Sequence, residues 1–354
     1  MKVNKKSILI FLGIITTVGV MCCIRLVTVR TSNETAYPIY ITEGETFDHL
    51  MDRQQELLIA HPTKFRLMAK ARGLDKRLRP GHYLVQPGMK YIDLVQKLSR
   101  GQQDPIRLTI GKFRTPDQLN RYLNQKLMHD DFNVTLDSFH LILPDTYEFY
   151  WTVTPEAFMQ RMEKEFEAES GKWKVESGKR KVENEAAAPG KLSTFLFPLS
   201  TKQIIILASI VEEETNNNAE KPLIASVYLN RLERGMPLQA DPTVKYAVAT
   251  SCPPDSGGLS ATQTEGFALR RILNKHLAVE SPFNTYLHTG LPPAPICLPS
   301  KASIHAVLDA PQTGYLYFCA SPEMDGTHRF AASLAEHNRN AAAFHRALNA
   351  RGIR

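Results

Sequence analysis

Ser200-Thr-Lys-Gln-Ile-Ile-Ile-Leu-Ala-Ser-Ile-Val-Glu-Glu-Glu-Thr215 is the stretch on which the reading of this chain turns. Ser200 and Gln203 stand at capping-box spacing, so a helix is expected to begin there. From Ile204 to Val211 the run is apolar on nearly every side, as in a helix enclosed by a core. Glu212, Glu213 and Glu214 follow at once, and Asn216-Asn-Asn218 marks a stop. The most apolar helix of the chain therefore ends in three carboxylates. Like charges in a row, the negative end of a helix and apolar surroundings all favour raised carboxyl pKa values. A carboxyl group that keeps its proton near neutral pH is what a general acid needs. A solvated acidic helix end is the plainer alternative. Spacing does not choose among the three: Glu212 lies over Ala208 and Ser209, the side with least bulk, and Glu214 over Ile210 and Leu207, a core-like face.

Downstream, Asn218 and Pro222 open a second helix whose Leu223, Ile224, Val227, Tyr228 and Leu232 run to Arg234 before Gly235. Leu238–Tyr246 reads as a polar turn, with Asp241-Pro242 as its signal. Ser281–Tyr286 and Gly290–Ile296 form a Pro-rich loop bearing aromatics, and tyrosine faces suit sugar rings. Upstream, Glu163–Lys191 is dense in charges of both signs and reads as a solvated face or surface loop.

Nearer the N-terminus, Tyr37–Ile41 reads as a strand, and Phe47, Leu50, Met51, Leu57 and Leu58 lie at helical spacing. Leu78–Val85 reads as a turn and strand, and Tyr91, Leu94, Val95 and Leu98 mark a helix that stops at Gly101. The pattern restarts with a strand over Ile106–Ile110 and a helix from Pro116 to about Leu127. The expected class is α+β.

Lys2, Lys5, Lys6, Arg25 and Arg30 flank an uncharged run from Ser7 to Ile24, long enough to cross a bilayer as one helix. Val20-Met21-Cys22-Cys23-Ile24 offers no small-residue cleavage site, so an uncleaved anchor is expected, with the N-terminus in the cytoplasm and the rest of the chain outside the inner membrane. The formal charge of +7 is mostly this topology signal. Positions 31–354 hold 38 basic against 36 acidic residues, a net +2, so a nucleic-acid partner is not expected. Cys252, Cys297 and Cys319 then lie in the outer part; buried free thiols are the default, and one disulfide among them stays open. His328 and His337 lack a metal-binding frame and read as loop hydrogen-bonding groups. Neither a phosphate loop, a dinucleotide glycine pattern nor a nucleophile elbow occurs, so no cofactor or metal is expected, and phosphoryl transfer, redox and serine-hydrolase readings have no support.

Several segments occur together in order: Ala208-Ser-Ile-Val-Glu-Glu-Glu214, Asn230-Arg-Leu232, Gly235–Val244 with Asp241-Pro-Thr243, Asn284-Thr-Tyr286 with Gly290-Leu-Pro-Pro293, Tyr315–Phe318, Gly326–Phe330 and Glu336-His-Asn338. In this the chain resembles the YceG-like family, the MltG-type endolytic murein transglycosylases. The resemblance implies cleavage of the MurNAc–GlcNAc β-1,4 bond within nascent peptidoglycan to leave 1,6-anhydro-MurNAc ends. It also implies Glu212, the first acid after Ser-Ile-Val, as the catalytic group. Glu214, Asn230, Asp241, Thr243, Tyr246, Asn284 and Tyr286 are the implied substrate contacts. The implied layout is a cytoplasmic tail (1–6), a transmembrane anchor (7–24), a linker (25–37), a LysM-like subdomain (38–105) and a catalytic domain (106–354). Peptidoglycan strands are the expected partner, with penicillin-binding synthases as protein partners. The chain departs from the family pattern at Phe139-His-Leu-Ile-Leu143, Phe283, Ala294 and Cys297–Ser300. A catalytically silent glycan-binding scaffold and an ordinary murein hydrolase using Asp241 or Glu214 as second carboxyl are the alternative functions.

Overall fold

A computed structural model describes residues 28–54, 60–187, 199–251 and 272–352, together with Ile14, Thr17, Phe267 and Leu269. Apart from Ile14 and Thr17, the expected tail and anchor lie outside the described residues, as does Cys252. Among the described residues no helix is long and apolar enough to cross a membrane. The fold is mixed α+β, built mainly of helices with, among the described residues, three two-stranded sheets.

The chain divides into two units. The first holds residues up to Leu108 with Asn124–Asp131 and Tyr147–Thr154. Strand β1 (Tyr37–Ile41) pairs antiparallel with β2 (Gly81–Val85), Tyr37 opposite Val85. Alternation sends Ile39 and Ile41 inward. Helices α1 (Phe47–Gln54), α2 (Pro62–Ala71) and α3 (Tyr91–Arg100) complete the core. At its centre lie Met51, Phe65, Tyr83 and Tyr91, each with at most 1% exposure. The stop at Gly101 is as expected: its φ of 67° is the left-handed conformation that glycine adopts without strain. Helix α2 is the element the sequence pattern does not announce. Pro62 sits in its first turn, but its buried Phe65, Met68 and Ala69 form too short a stripe to read as periodic.

β3 (Ile106–Ile110) and β4 (Asp145–Phe149) pair with each other, and the boundary between units falls within both. The second unit holds Thr109–Leu123, Phe132–Thr146 and Pro155–Arg354. After α4 (Pro116–Lys126) comes α5 (Pro155–Ala187), a helix through most of the charge-dense segment. Next are α6 (Thr201–Glu214), α7 (Lys221–Glu233), α8 (Asp241–Thr250), the single turn α9 (Asn274–Leu277) and α10 (Lys301–Leu308). Strands β5 (Tyr317–Ala320) and β6 (His328–Ala331) form an antiparallel ribbon, and α11 (Leu334–Ala350) follows.

Two expectations are corrected here. Asp241-Pro242 opens helix α8 instead of making a local turn, because proline in a first helical turn has no amide proton to waste and a preset φ. His337 lies on α11, and His328 opens strand β6 with its Nδ1 3.0 Å from Glu220 Oε2, so neither histidine sits in a loop. Cys297, buried, and Cys319 are both free thiols.

Helix α6 organises the second unit. Its start is the expected capping box, Ser200 Oγ accepting from Gln203 N and Gln203 Oε1 from Ser200 N. Every residue from Ile205 to Val211 is buried. Such a helix is covered on all sides, here by α7, α8 and α10 among others. Even Ser209 is enclosed; its hydroxyl donates to Ile206 O at 2.7 Å and accepts from Ile296 N at 3.0 Å, pinning the Pro-rich loop to the helix. Replacing Ile210 by Ala is expected to cost about 2–5 kcal/mol through lost burial and a cavity, and Ser200 by Ala about 1 kcal/mol through loss of the cap. Urea denaturation of both variants checks the order, and an equal or reversed loss would contradict the enclosed-helix account.

Candidate active site

Successive residues on a helix are about 100° apart, so the three glutamates at the end of α6 point into three different surroundings. Glu212 enters a polar cage. Its Oε2 accepts from Ser300 Oγ at 2.6 Å, from Ser303 Oγ and from Lys221 Nζ at 3.1 Å, with Lys112 Nζ 4.0 Å from Oε1. Lys221 is 4% exposed, so this is a buried ion pair. Burial alone would raise the Glu212 pKa; the two serine hydroxyls and the lysine outweigh it, and the carboxyl is held below its ordinary range. Ser300 also caps α10 by accepting from Ser303 N at 3.3 Å. One hydroxyl thus joins α6 to the start of α10.

Glu213 turns to the segment after β3. Arg114 binds it through two nitrogens, Nε to Oε1 at 3.2 Å and Nη2 to Oε2 at 3.0 Å, and Lys112 Nζ lies 3.0 Å from Oε1. Such a two-pronged, charge-assisted contact is among the stronger hydrogen-bonded arrangements. Burial again opposes ionisation, and the cations again win: the pKa is lowered.

Among the described residues no cation lies within ion-pair distance of Glu214. Its Oε1 accepts a short hydrogen bond from the Tyr228 hydroxyl, and it lines a cavity of about 270 Å³. Burial pushes its pKa up to about 7, the Asp241 and Glu213 carboxylates add to the rise, and Tyr228 and Lys245 oppose it. The expectation of raised pKa values across the whole cluster is thus corrected. It holds for the residue on the core-like face and reverses for the other two, because crowding matters less than which neighbour each carboxylate meets.

Of the expected substrate contacts, the cavity gathers Glu214, Asp241 and Tyr286, the Tyr286 hydroxyl donating to Asp241 Oδ1 at 2.7 Å. It does not gather Glu212. Asn230 is buried, and its Nδ2 donates to Thr313 O at 2.9 Å and Tyr315 O at 2.8 Å, holding the approach to β5. Thr243 is enclosed and bonds Ala240 O at 2.7 Å and Thr285 Oγ1 at 2.8 Å. Tyr246 packs against Phe283, ring centroids 4.6 Å apart. Asn284 Nδ2 donates to Leu277 O and Val279 O, so this side chain shapes the loop that presents Tyr286. None of these four lines the cavity; they hold the segments from which its lining residues project. The residues that sequence reasoning missed are Tyr228, Arg231, Gln239, Tyr317, Phe318 and His337, all lining the cavity. Arg231 left one signal, a charged residue in the apolar stripe of α7. Gln239 left only its place within Gly235–Val244; its φ of 51° marks local backbone strain there.

Among the described residues no group of three or more His, Cys, Asp or Glu side chains could hold a metal ion. What the cavity can do chemically is hold a proton near neutral pH beside hydroxyl and aromatic groups.

Comparisons with known proteins bear on the family. The model of the YceG-like family matches residues 39–343. An endolytic murein transglycosylase of Bacillus subtilis (strain 168) is 39% identical over 141 residues, covering 40% of this chain and 34% of that protein. One from Streptococcus pneumoniae serotype 2 is 26% identical over 312 residues, covering 80% of this chain and 54% of the relative. The chain thus spans about a third to a half of the length of these curated relatives. A crystal structure of a yceG-like protein from Listeria monocytogenes shares 25% identity, with a TM-score of 0.48, over 87% of this chain and 99% of that one.

The Glu214 pKa has a consequence for stability. Folding raises it from the ordinary 4.5 to about 7. The stability that goes with the protonated form is therefore complete below about pH 4.5 and lost as pH rises to about 7. Glu214→Gln, which is always neutral, is expected to leave stability nearly unchanged at pH 5 and to raise it by about 1–3 kcal/mol at pH 8. Thermal unfolding at the two pH values checks this; destabilisation at pH 8 would mean that folding does not raise the Glu214 pKa.

Proposed function

The chain belongs to the YceG-like family, and on that premise we propose that it is an endolytic murein transglycosylase with Glu214 as its proton-carrying group. The observation that carries the assignment is that Glu214, alone among the three clustered glutamates, opens on the cavity and has a pKa near neutrality. The murein transglycosylase names of the relatives support the reaction class. Glu212, the expected acid, is kept ionised by Lys221 and two serine hydroxyls directed at one oxygen. A carboxylate so held is a poor proton donor.

In this reading protonated Glu214 gives its proton to the glycosidic oxygen as the C1–oxygen bond breaks. The sugar's own 6-hydroxyl attacks C1, and its proton passes to the Glu214 carboxylate. The new C1–O6 bond closes a 1,6-anhydro-MurNAc end, no water is consumed, and the acid is restored. Tyr228 holds Oε1, which leaves Oε2 to carry the proton toward the cavity. Asp241 discourages ionisation of its neighbour before substrate arrives. Asp241 also favours a second reading, a hydrolase with two carboxyl groups in one cavity, whose product would be one water heavier.

Residues 7–24 are proposed to anchor the chain in the inner membrane with the catalytic unit outside, and residues 38–105 to serve as a LysM-like glycan-binding module. The apolar span with its basic flanks supports the first, and the resemblance of this segment to the family's subdomain the second. Such an enzyme would act on nascent strands beside the penicillin-binding synthases.

Glu214→Gln is expected to slow cleavage of uncrosslinked murein by about 10²–10⁴-fold, while Glu212→Gln keeps at least about tenfold more activity than Glu214→Gln, a rate ratio expected when one group is the acid and the other a strut. Mass spectrometry of released anhydro-ended fragments measures both, and equal losses would count against the assignment. The pH–rate profile should fall on the alkaline side as Glu214 ionises. Tyr228→Phe should move that limb upward and Asp241→Asn downward, since one removes a hydrogen bond to the carboxylate and the other a repelling charge. Shifts in the same direction would contradict the arrangement.

A further inference from the structure

The cavity has a second wall that this chemistry does not use. It is formed by Arg231 of α7, Tyr317 of β5 and His337 of α11. Arg231 is 8% exposed, and its guanidinium is held by uncharged acceptors: Nε donates to Leu316 O at 2.7 Å, and Nη1 to Pro237 O at 3.1 Å and Leu238 O at 2.9 Å. Among the described residues its Nη2 has no partner, and no carboxylate lies within ion-pair distance. The guanidinium carbon sits 5.2 Å from the centre of the Tyr317 ring. The His337 ring stacks on the same tyrosine at 5.3 Å, with 26° between planes. Tyr317 therefore ties the two nitrogen-bearing groups together.

Burial and the nearby Arg231 both lower the His337 pKa and so favour its neutral ring. Its Nδ1 is buried and unpartnered. A buried bare nitrogen is tolerated better than a buried orphan N–H, so the ring proton belongs on Nε2, which is the less buried nitrogen and also lacks a partner among the described residues. Arg231 Nη2 and His337 Nε2 are then two unspent donors on one wall. They ask for an oxygen acceptor. A carboxylate is disfavoured, since it would face the Asp241 carboxylate in the same cavity, the charge against which Glu214 already keeps its proton. A neutral carbonyl oxygen has two lone pairs and no such penalty. Leu238 and Phe318 border the cavity and supply an apolar surface for a methyl group. The volume of about 270 Å³ lies near the low end of ligand clefts, roughly 300–1,000 Å³, and so suits one sugar unit, not several.

Building on the transglycosylase reading, we propose that Arg231, Tyr317 and His337 form an acetamido-recognition subsite beside Glu214. It would accept the 2-acetamido carbonyl of one N-acetylhexosamine residue and seat its methyl on Leu238 and Phe318. The three are substrate-positioning groups, and none of them moves a proton in the reaction.

The test is isothermal titration calorimetry of the full chain with chitotetraose and with cellotetraose, which has a hydroxyl where chitotetraose has its acetamido group. Wild type should bind chitotetraose at least about tenfold more tightly, the size of effect expected from one lost pairing at a polar site. His337→Leu should bring the ratio close to one while leaving the melting temperature near that of wild type. His337→Gln, whose side-chain amide can still donate, should restore part of it. Equal binding of the two oligosaccharides by wild type, no binding of either, or a ratio unchanged in His337→Leu would overturn the proposal. So would displacement of chitotetraose by sodium acetate at equal concentration, which would mark an anion site. Binding is read apart from cleavage. A protein that prefers chitotetraose but leaves murein intact refutes the transglycosylase reading alone, and one that cuts murein without the preference refutes the subsite alone.

Discussion

The second unit is arranged around one constraint, a helix that must be dry on every side and yet end in three acids. Ile205–Val211 accept no water, so α7, α8 and α10 close around them. The closure carries polar groups to the helix end along with apolar ones. Lys221 at the start of α7 and Ser300 and Ser303 at the start of α10 reach Glu212. Arg114 reaches Glu213 from the segment after β3. Tyr228, about two helical turns into α7, reaches Glu214. Two acids are consumed as joints between elements, and the third faces a space that the others help to hold open.

This division of labour explains which parts are legible in the sequence. The capping box at Ser200, the enclosed run to Val211, the Gly101 stop and the strand Tyr37–Ile41 all rest on local rules, and the folded chain follows those rules at each of them. The carboxylate cluster at the end of α6 is legible too, because an apolar helix ending in acids is a local pattern. The choice among Glu212, Glu213 and Glu214 is not. It depends on partners 9 to 100 residues away along the chain, Lys221 and Lys112 being those limits in the case of Glu212, and no periodicity encodes them. The start of α8 at Asp241-Pro242 escapes a local reading for a related reason. The same dipeptide opens a helix or a turn depending on what the next turn packs against, and here Val244, Tyr246 and Ala247 are buried.

The expected substrate residues show how a motif mixes two kinds of duty. Asp241 and Tyr286 face the cavity, whereas Thr243 and Asn284, two residues away from each respectively, hold the backbone that presents them. A short motif with fixed spacing therefore reads as a set of contacts when half of it is framework.

The opposed pKa shifts at the end of α6 have a collective meaning. Glu212 and Glu213 are lowered, so they favour the folded state above the ordinary carboxylate range and withdraw that support as pH falls through their folded values. Glu214 is raised, so its support is withdrawn as pH climbs toward about 7. Only in the mildly acidic interval between are all three satisfied together, two as ions and one as an acid. That interval is also where Glu214, the proton carrier of the proposed reaction, holds its proton. Under that proposal the familiar conflict between a durable scaffold and a strained, reactive group is softened in this fold, and resilience and turnover share a single optimum.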